Sequence, residues 1–257
     1  MQHKIKLIEC PRDAMQGWPH FISTQKKIEY INALLKVGFD TIDFGSFVSP
    51  KAIPQMADTA DVLRGLQIEN GKSKLLAIIA NQRGAEDAVV FDEITYLGFP
   101  FSVSETFQMR NTNSTIAQSL GRVEEIQNLC IKNKKELVVY MSMGFGNPYG
   151  DVYSEEIVFD WVNKLVDMDI SIISLADTVG LATKEQVYDI TKYLVDSLPD
   201  TEIGVHLHST PTNWKEKVDA AFWRIIEAVK KTGGITDADL AKARKPLIER
   251  NKVRVKS

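Results

Sequence analysis

The sequence predicts an α/β fold, specifically a (β/α)8 barrel of parallel strands. Short apolar, β-branched runs recur along the chain, and amphipathic helical patterns separate most of them. The length of 257 residues suits such a barrel, which typically takes about 250. A doubly wound open sheet would show the same alternation, but no G-x-G-x-x-G follows any of the runs, so the dinucleotide-binding version loses ground.

Seven runs are read as strands: IKLIEC (5–10), TIDFGSF (41–47), KLLAIIA (74–80), EITYLGF (93–99), LVVYMSMGF (137–145), SIISLAD (171–177) and IGVHLHS (203–209). Between them, residues 24–37 set Ile28, Ile31, Leu34 and Leu35 at helical spacing ahead of Gly38. Residues 115–133 and 154–167 read the same way, and 183–198 opens on a Thr-x-x-Gln capping box and ends before Pro199. The rhythm then changes. NWKEKVDAAFWRIIEAVKKTGG reads as one long amphipathic helix, and TDADLAKARKPLIERNK as a second, with Pro246 as a break. KVRVK (252–256) is the sole candidate for a short eighth strand. The expected organisation is a catalytic barrel over 1–222 and a basic helical tail over 223–257, which packs on or closes the barrel where the eighth strand and its loop are missing or replaced.

Bulk properties exclude several functions. The formal charge of −3 gives no support to nucleic acid as principal partner. Cys10 and Cys130 are the two cysteines, too few for a disulfide framework. No stretch approaches the roughly 20 apolar residues of a membrane span, and the start shows neither a signal nor a transit pattern. A cytosolic protein is expected.

In a parallel barrel, functional groups gather at the C-terminal ends of the strands. Those ends carry Arg12 and Asp13, with Gln16 one turn beyond; Asp43 and Ser46; Asn81; Tyr140 and Ser142, leading into GFGNPYG; Asp177 and Thr178; and His206 and His208. Positions i and i+2 of a strand share a face, so the two imidazoles lie side by side. With a carboxylate they make a site for a divalent cation. Blander readings exist for each: an Arg12–Asp13 rim ion pair, a helix cap at Asp177–Thr178, a packed Cys10, a plain turn at GFGNPYG. Shared placement at strand ends favours the functional reading.

IECPRDAMQG, TIDFGSFVSPKAIPQMADT, YMSMGFGNPYG, SLADTVG and VHLHST together resemble the 3-hydroxy-3-methylglutaryl-CoA lyases, of the metal-dependent barrel superfamily that includes isopropylmalate and homocitrate synthases. SFVSPKAIPQMAD is the segment specific to the lyase branch, and the likeness covers residues 4–222. The resemblance implies retro-Claisen cleavage of the thioester to acetyl-CoA and acetoacetate, as in leucine degradation and ketone-body metabolism. It implies Mg2+ or Mn2+ held by Asp13, His206 and His208, and Arg12 stabilising the departing enolate. Asp43, where the family usually has glutamate, would orient the site. Tyr140 and Asp177 match positions near the substrate, and Gln16, Ser46 and Ser142 join the substrate-binding set. His206 is the candidate base for the hydroxyl proton. An acyl-CoA is the expected partner, with neither nucleic acid nor membrane, and a homodimer left open.

Three departures stand out. Ser209 replaces a usual aspartate, and residues 223–257 contain neither the family's glycine-rich cysteine loop nor its asparagine ligand. Related acyl-CoA lyases, Claisen-condensing synthases and a catalytically impaired barrel therefore stay open as alternatives.

Overall fold

The computed structural model describes residues 5–68 and 73–231. Seven strands, β1 (Ile8–Glu9), β2 (Thr41–Ser46), β3 (Lys74–Ile78), β4 (Ile94–Ser102), β5 (Glu136–Ser142), β6 (Ile172–Asp177) and β7 (Glu202–Leu207), form one sheet in sequential order. Every neighbouring pair is parallel. Sequential order without a reversal is the winding of a barrel; a doubly wound sheet reverses direction at a switch point. The open-sheet alternative is thereby excluded.

The helices are α1 (Pro11–Gln16), α2 (Thr24–Leu35), α3 (Thr59–Arg64), α4 (Gln82–Val89), α5 (Glu105–Thr112), α6 (Ile116–Lys132), α7 (Glu155–Val166), α8 (Lys184–Ser197) and α9 (Trp214–Lys231). The Thr183/Gln186 capping box expected of α8 is formed, and Thr115/Gln118 makes a second one on α6. Each box satisfies two backbone N–H groups that the first helical turn would leave orphaned.

Alternation along the strands separates two cores. Leu76, Tyr96, Val138 and Ile172, with Ile78 and Tyr140, pack together on one face. Their neighbours Leu75, Ala77, Leu97, Leu137, Val139 and Ile173 join the large cluster shared with the helices. The small cluster is the inside of the barrel and the large one its outer layer. Strands buried on both faces read as continuous apolar runs, which is why the sequence shows them so plainly. Gly98 is needed on the inner face, since a Cβ there would lie 2.6 Å from Ile78 Cδ1 and 2.9 Å from Tyr140 Cε2.

Two strands differ from expectation. β1 has only two residues, because Pro11 stands at the first position of α1, where its fixed φ suits a helix and its missing N–H costs nothing. Arg12 and Asp13 accordingly sit in the first turn of α1 and not on the strand. β4 runs on through Pro100 to Ser102. The β3 ladder ends at Ile78↔Gly98, so a proline at 100 forfeits no bond on that side.

The helix expected after β7 is present as α9 and continues through residue 222, so the expected division at 222/223 falls inside it. The second tail helix, its break at Pro246 and the KVRVK strand lie outside the described residues, as does any answer on the eighth strand. Among the described residues, no helix is long and apolar enough to cross a membrane.

Candidate metal centre and active site

α1 delivers the first two functional side chains. Arg12 is 8% exposed and points at Asp43, which is wholly buried in the middle of β2. Arg12 Nη2 donates to Asp43 Oδ2 at 2.6 Å, and Nε donates to both carboxylate oxygens at 3.1 and 3.2 Å. Its Nη1 donates to Asp13 Oδ1 at 3.0 Å and to Gln16 Oε1 at 2.9 Å. Burial works against the guanidinium charge, but the Asp43 carboxylate outweighs it and holds the Arg12 pKa above its ordinary value. Burial also pushes the Asp43 carboxyl up, and Arg12 pulls it back.

β7 delivers the histidines. His206 is in the strand, and His208 stands one residue beyond its end at Leu207. Their Nε2 atoms lie 3.2 Å apart, and both face Asp13 Oδ2, at 3.5 Å from His206 and 3.3 Å from His208. The ligand atoms of this half-buried trio all lie within 4.8 Å of one another. Among the described residues, it is the one cluster of three or more histidine, cysteine or acidic side chains placed to hold a metal ion. Two imidazole nitrogens and a carboxylate oxygen fit a divalent cation, with room for substrate or water at the remaining positions. Hydrogen bonds to His206 and His208 hold the Asp13 carboxyl well below its usual range. The bond to Asp13 raises the His208 pKa against the effect of burial, and a backbone hydrogen bond to Thr178 adds to the rise.

Tyr140 meets His206 edge-on, with ring centroids 5.9 Å apart. Cys10 Sγ lies 3.9 Å from the other nitrogen of His206, Nδ1, and burial pushes that thiol well up. So Arg12, Asp13, Gln16, Asp43, Tyr140, His206 and His208 share one connected patch. Gln16 belongs to it through Arg12.

Other expected site residues make their described contacts elsewhere. Ser46 is buried, with Oγ accepting the Val48 N–H. Ser142 is buried, and its carbonyl accepts from Val103 N and Ser102 Oγ. Asn81 caps α4 by accepting from Gly84 N. Asp177 is 1% exposed; Oδ1 accepts from Ala182 N at 3.0 Å and Oδ2 from Lys217 Nζ at 2.7 Å.

Lys217, on α9, escaped sequence reading. It is 2% exposed, and its ammonium also donates to the carbonyls of Gly180 and His208, each at 3.1 Å. Its sequence trace is faint: it shares the buried face of α9 with Ala221, four residues on. A second buried lysine, Lys27 on α2, pairs with Asp58 at 2.6 Å and also reaches the Gln55 carbonyl. Gln55 in turn holds the loop after α1, accepting from Ile22 N and donating to the carbonyls of Trp18 and His20.

A protein-family model described as HMGL-like matches residues 4–212. A hydroxymethylglutaryl-CoA lyase of Bacillus subtilis is 34% identical over 203 residues, covering 78% of this chain and 66% of the relative. The mitochondrial hydroxymethylglutaryl-CoA lyase of Mus musculus is 33% identical over 210 residues, covering 80% of this chain and 63% of its own. This chain thus spans a little under two thirds of the length of the curated relatives it matches. Among solved structures, an HMG-CoA lyase from Acinetobacter baumannii in complex with coenzyme A and 3-methylmalate superposes with a TM-score of 0.79 at 33% identity. That match covers 85% of this chain and 71% of the other. The carboxyl transferase domain of Rhizobium etli pyruvate carboxylase, 12% identical with a TM-score of 0.59, shares the fold alone.

Proposed function

Because the chain belongs to the HMGL-like family, we propose that it cleaves 3-hydroxy-3-methylglutaryl-CoA to acetyl-CoA and acetoacetate. The observation that carries the proposal is the convergence of Asp13, His206 and His208 on one point beside the buried Arg12–Asp43 pair. Action in the cytosol, in leucine degradation or ketone-body formation, belongs to the same proposal.

Asp13, His206 and His208 would hold Mg2+ or Mn2+. When bound, such an ion supplies Lewis acidity, which makes a tertiary hydroxyl easier to ionise. Arg12 supplies the other half of the chemistry. Four of its five N–H groups are engaged by Asp43, Asp13 and Gln16, which leaves one Nη2 N–H beyond these bonds. A guanidinium clamped in this way stabilises an enolate oxygen whose charge develops only as the carbon–carbon bond breaks. Asp43 holds the clamp and keeps its charge compensated within the protein.

The base role expected of His206 meets an obstacle. Its Nε2 faces Asp13 and His208, so the same nitrogen cannot hold an ion and accept the hydroxyl proton. Acting as base would require Nδ1, which faces Cys10 Sγ. The proposal therefore keeps His206 as a ligand only.

A condensing synthase would use the same trio, but the curated relatives matched above are named as lyases, which favours cleavage. A coupled assay for acetyl-CoA release is expected to show turnover with Mg2+ or Mn2+ and none with excess chelator. Absence of release at any metal concentration would reject the proposal and favour an impaired barrel. His208→Ala is expected to abolish Mn2+ binding in calorimetry; an unchanged affinity would count against the trio.

A further inference from the structure

Lys217 stands outside the metal trio and donates to three groups at once: the Asp177 carboxylate at the end of β6, the Gly180 carbonyl in the loop that follows, and the carbonyl of His208 itself. An ammonium has three N–H donors, and all three are used. None is left for a substrate, so a direct part in the reaction is excluded. The remaining possibility lies in what Lys217 ties together.

His208 stands past the end of β7, where strand pairing no longer fixes it; the ladder with β6 ends at Asp177↔Leu207. A contact from α9 takes the place of the ladder. The Lys217 ammonium fixes the main chain of His208 through its carbonyl, at 3.1 Å. Thr178 and Gly180 belong to one tight turn, closed by Gly180 N donating to the Asp177 carbonyl at 3.2 Å. Gly180 takes a φ of +76°, a conformation that L side chains rarely adopt, and its carbonyl reaches the ammonium from there.

We propose that Lys217 is a positioning residue of the metal centre: its ammonium staples the His208 main chain to the Asp177–Gly180 turn and so sets the imidazole where the ion requires it. The proposal rests on the metal reading of Asp13, His206 and His208. Outer partners of metal ligands have measurable consequences, since losing one typically costs about 10–100-fold in metal affinity.

Removing the lysine alone would strand a buried carboxylate, so the test removes both charges. Lys217→Met with Asp177→Asn keeps the volume and leaves no unpaired ion. The control is Lys27→Met with Asp58→Asn, a second pair of a buried lysine with a mostly buried aspartate, whose described contacts include none of the three ligands. Mn2+ affinity is measured by calorimetry on the full chain, at a temperature where circular dichroism shows all proteins equally folded. The expected result is a loss of about 10–100-fold for the first double variant and no more than about twofold for the control. Equal affinities in wild type and the Lys217 variant would overturn the proposal while leaving the metal reading intact. So would equal losses in both double variants, because that is the mark of a structural role alone. A wild-type chain that binds no Mn2+ would overturn the metal reading and this proposal with it. Lys217→Leu with Asp177→Asn is the second variant and replaces the first should that one not fold. Leucine has no donor for the His208 carbonyl, so the same loss of about 10–100-fold is expected, and an unchanged value would equally overturn the staple.

Discussion

The rim over β1 and β2 and the rim over β6 and β7 each bury a cation against an aspartate. They are wired differently. Arg12 spreads over Asp43, Asp13 and Gln16 with one N–H to spare, and Asp13 itself stays half-buried at the mouth. Lys217 is saturated, its acceptors being two backbone carbonyls and a carboxylate that is 1% exposed. The contrast separates two kinds of buried charge. On the proposed reading, a group that acts on a substrate keeps donor capacity in reserve, while a group that supports the site gives all of it to the protein.

The largest effect that would break this comparison concerns Arg12. Arg12→Met is expected to lower acetyl-CoA release by about a thousandfold or more, the scale for removing a donor that acts on developing charge. Mn2+ affinity should change far less. The stranded Asp43 is fully buried and its carboxyl is already pushed upward, so it takes a proton and leaves no bare charge in the interior. Single-turnover kinetics beside Mn2+ calorimetry make the check. Parallel losses in rate and in affinity would place Arg12 with Lys217 as a support and erase the distinction.

Next in size is the cost in stability on the other rim. Lys217→Met alone leaves Asp177 without its cation and two carbonyls without a donor. Breaking a buried pair in this way costs about 3–5 kcal/mol. The double variant with Asp177→Asn should recover much of that, because removing both charges avoids an uncompensated ion. Urea unfolding of the two proteins measures the difference; identical midpoints would show that the ammonium contributes nothing through Asp177.

The two rims were also unequally legible in the sequence. His206 and His208 announce themselves by their i, i+2 spacing, Asp13 by following the first strand directly, and Asp43 by being a carboxylate inside the apolar run of the second. All four belong to runs whose conformation is set locally. Lys217 has no such signal: its main partner is 40 residues earlier in the chain, and within α9 it looks like one more charge on an amphipathic helix. The same limit hid Gln55 and Lys27, whose contacts with the loop after α1 and with Asp58 cross about thirty residues. Asp177 shows the converse. The sequence marks it as a strand-end carboxylate, yet whether such a group faces substrate or an ammonium is decided by a helix packed on it from elsewhere. The shortness of β1 was readable in principle from Pro11, since a proline that opens a helix also ends the strand before it.

The smallest effect separates the half-open trio from the sealed staple by pH. In chelator, the hydrogen bonds from both histidines depress the Asp13 carboxyl. Its contribution to stability is therefore present above the unfolded value of about 3.9 and is lost as pH falls through the lower folded value. His208 is shifted the other way, chiefly by Asp13. Its contribution is complete below the unfolded value of about 6.5 and is lost as pH rises through the higher folded value. The metal-free trio should thus stabilise the fold most between about pH 4 and 6.5. Half-exposed pairs of this kind are worth about 0–1 kcal/mol, or at most about 3 °C in a domain of this size. The melting advantage of wild type over Asp13→Asn in chelator should therefore shrink as pH rises above about 6.5. Excess Mn2+ should reverse the trend for wild type, because imidazoles bind an ion only when deprotonated. Curves that stay parallel from pH 4 to 8 would mean that the three side chains are not coupled in solution as they are here.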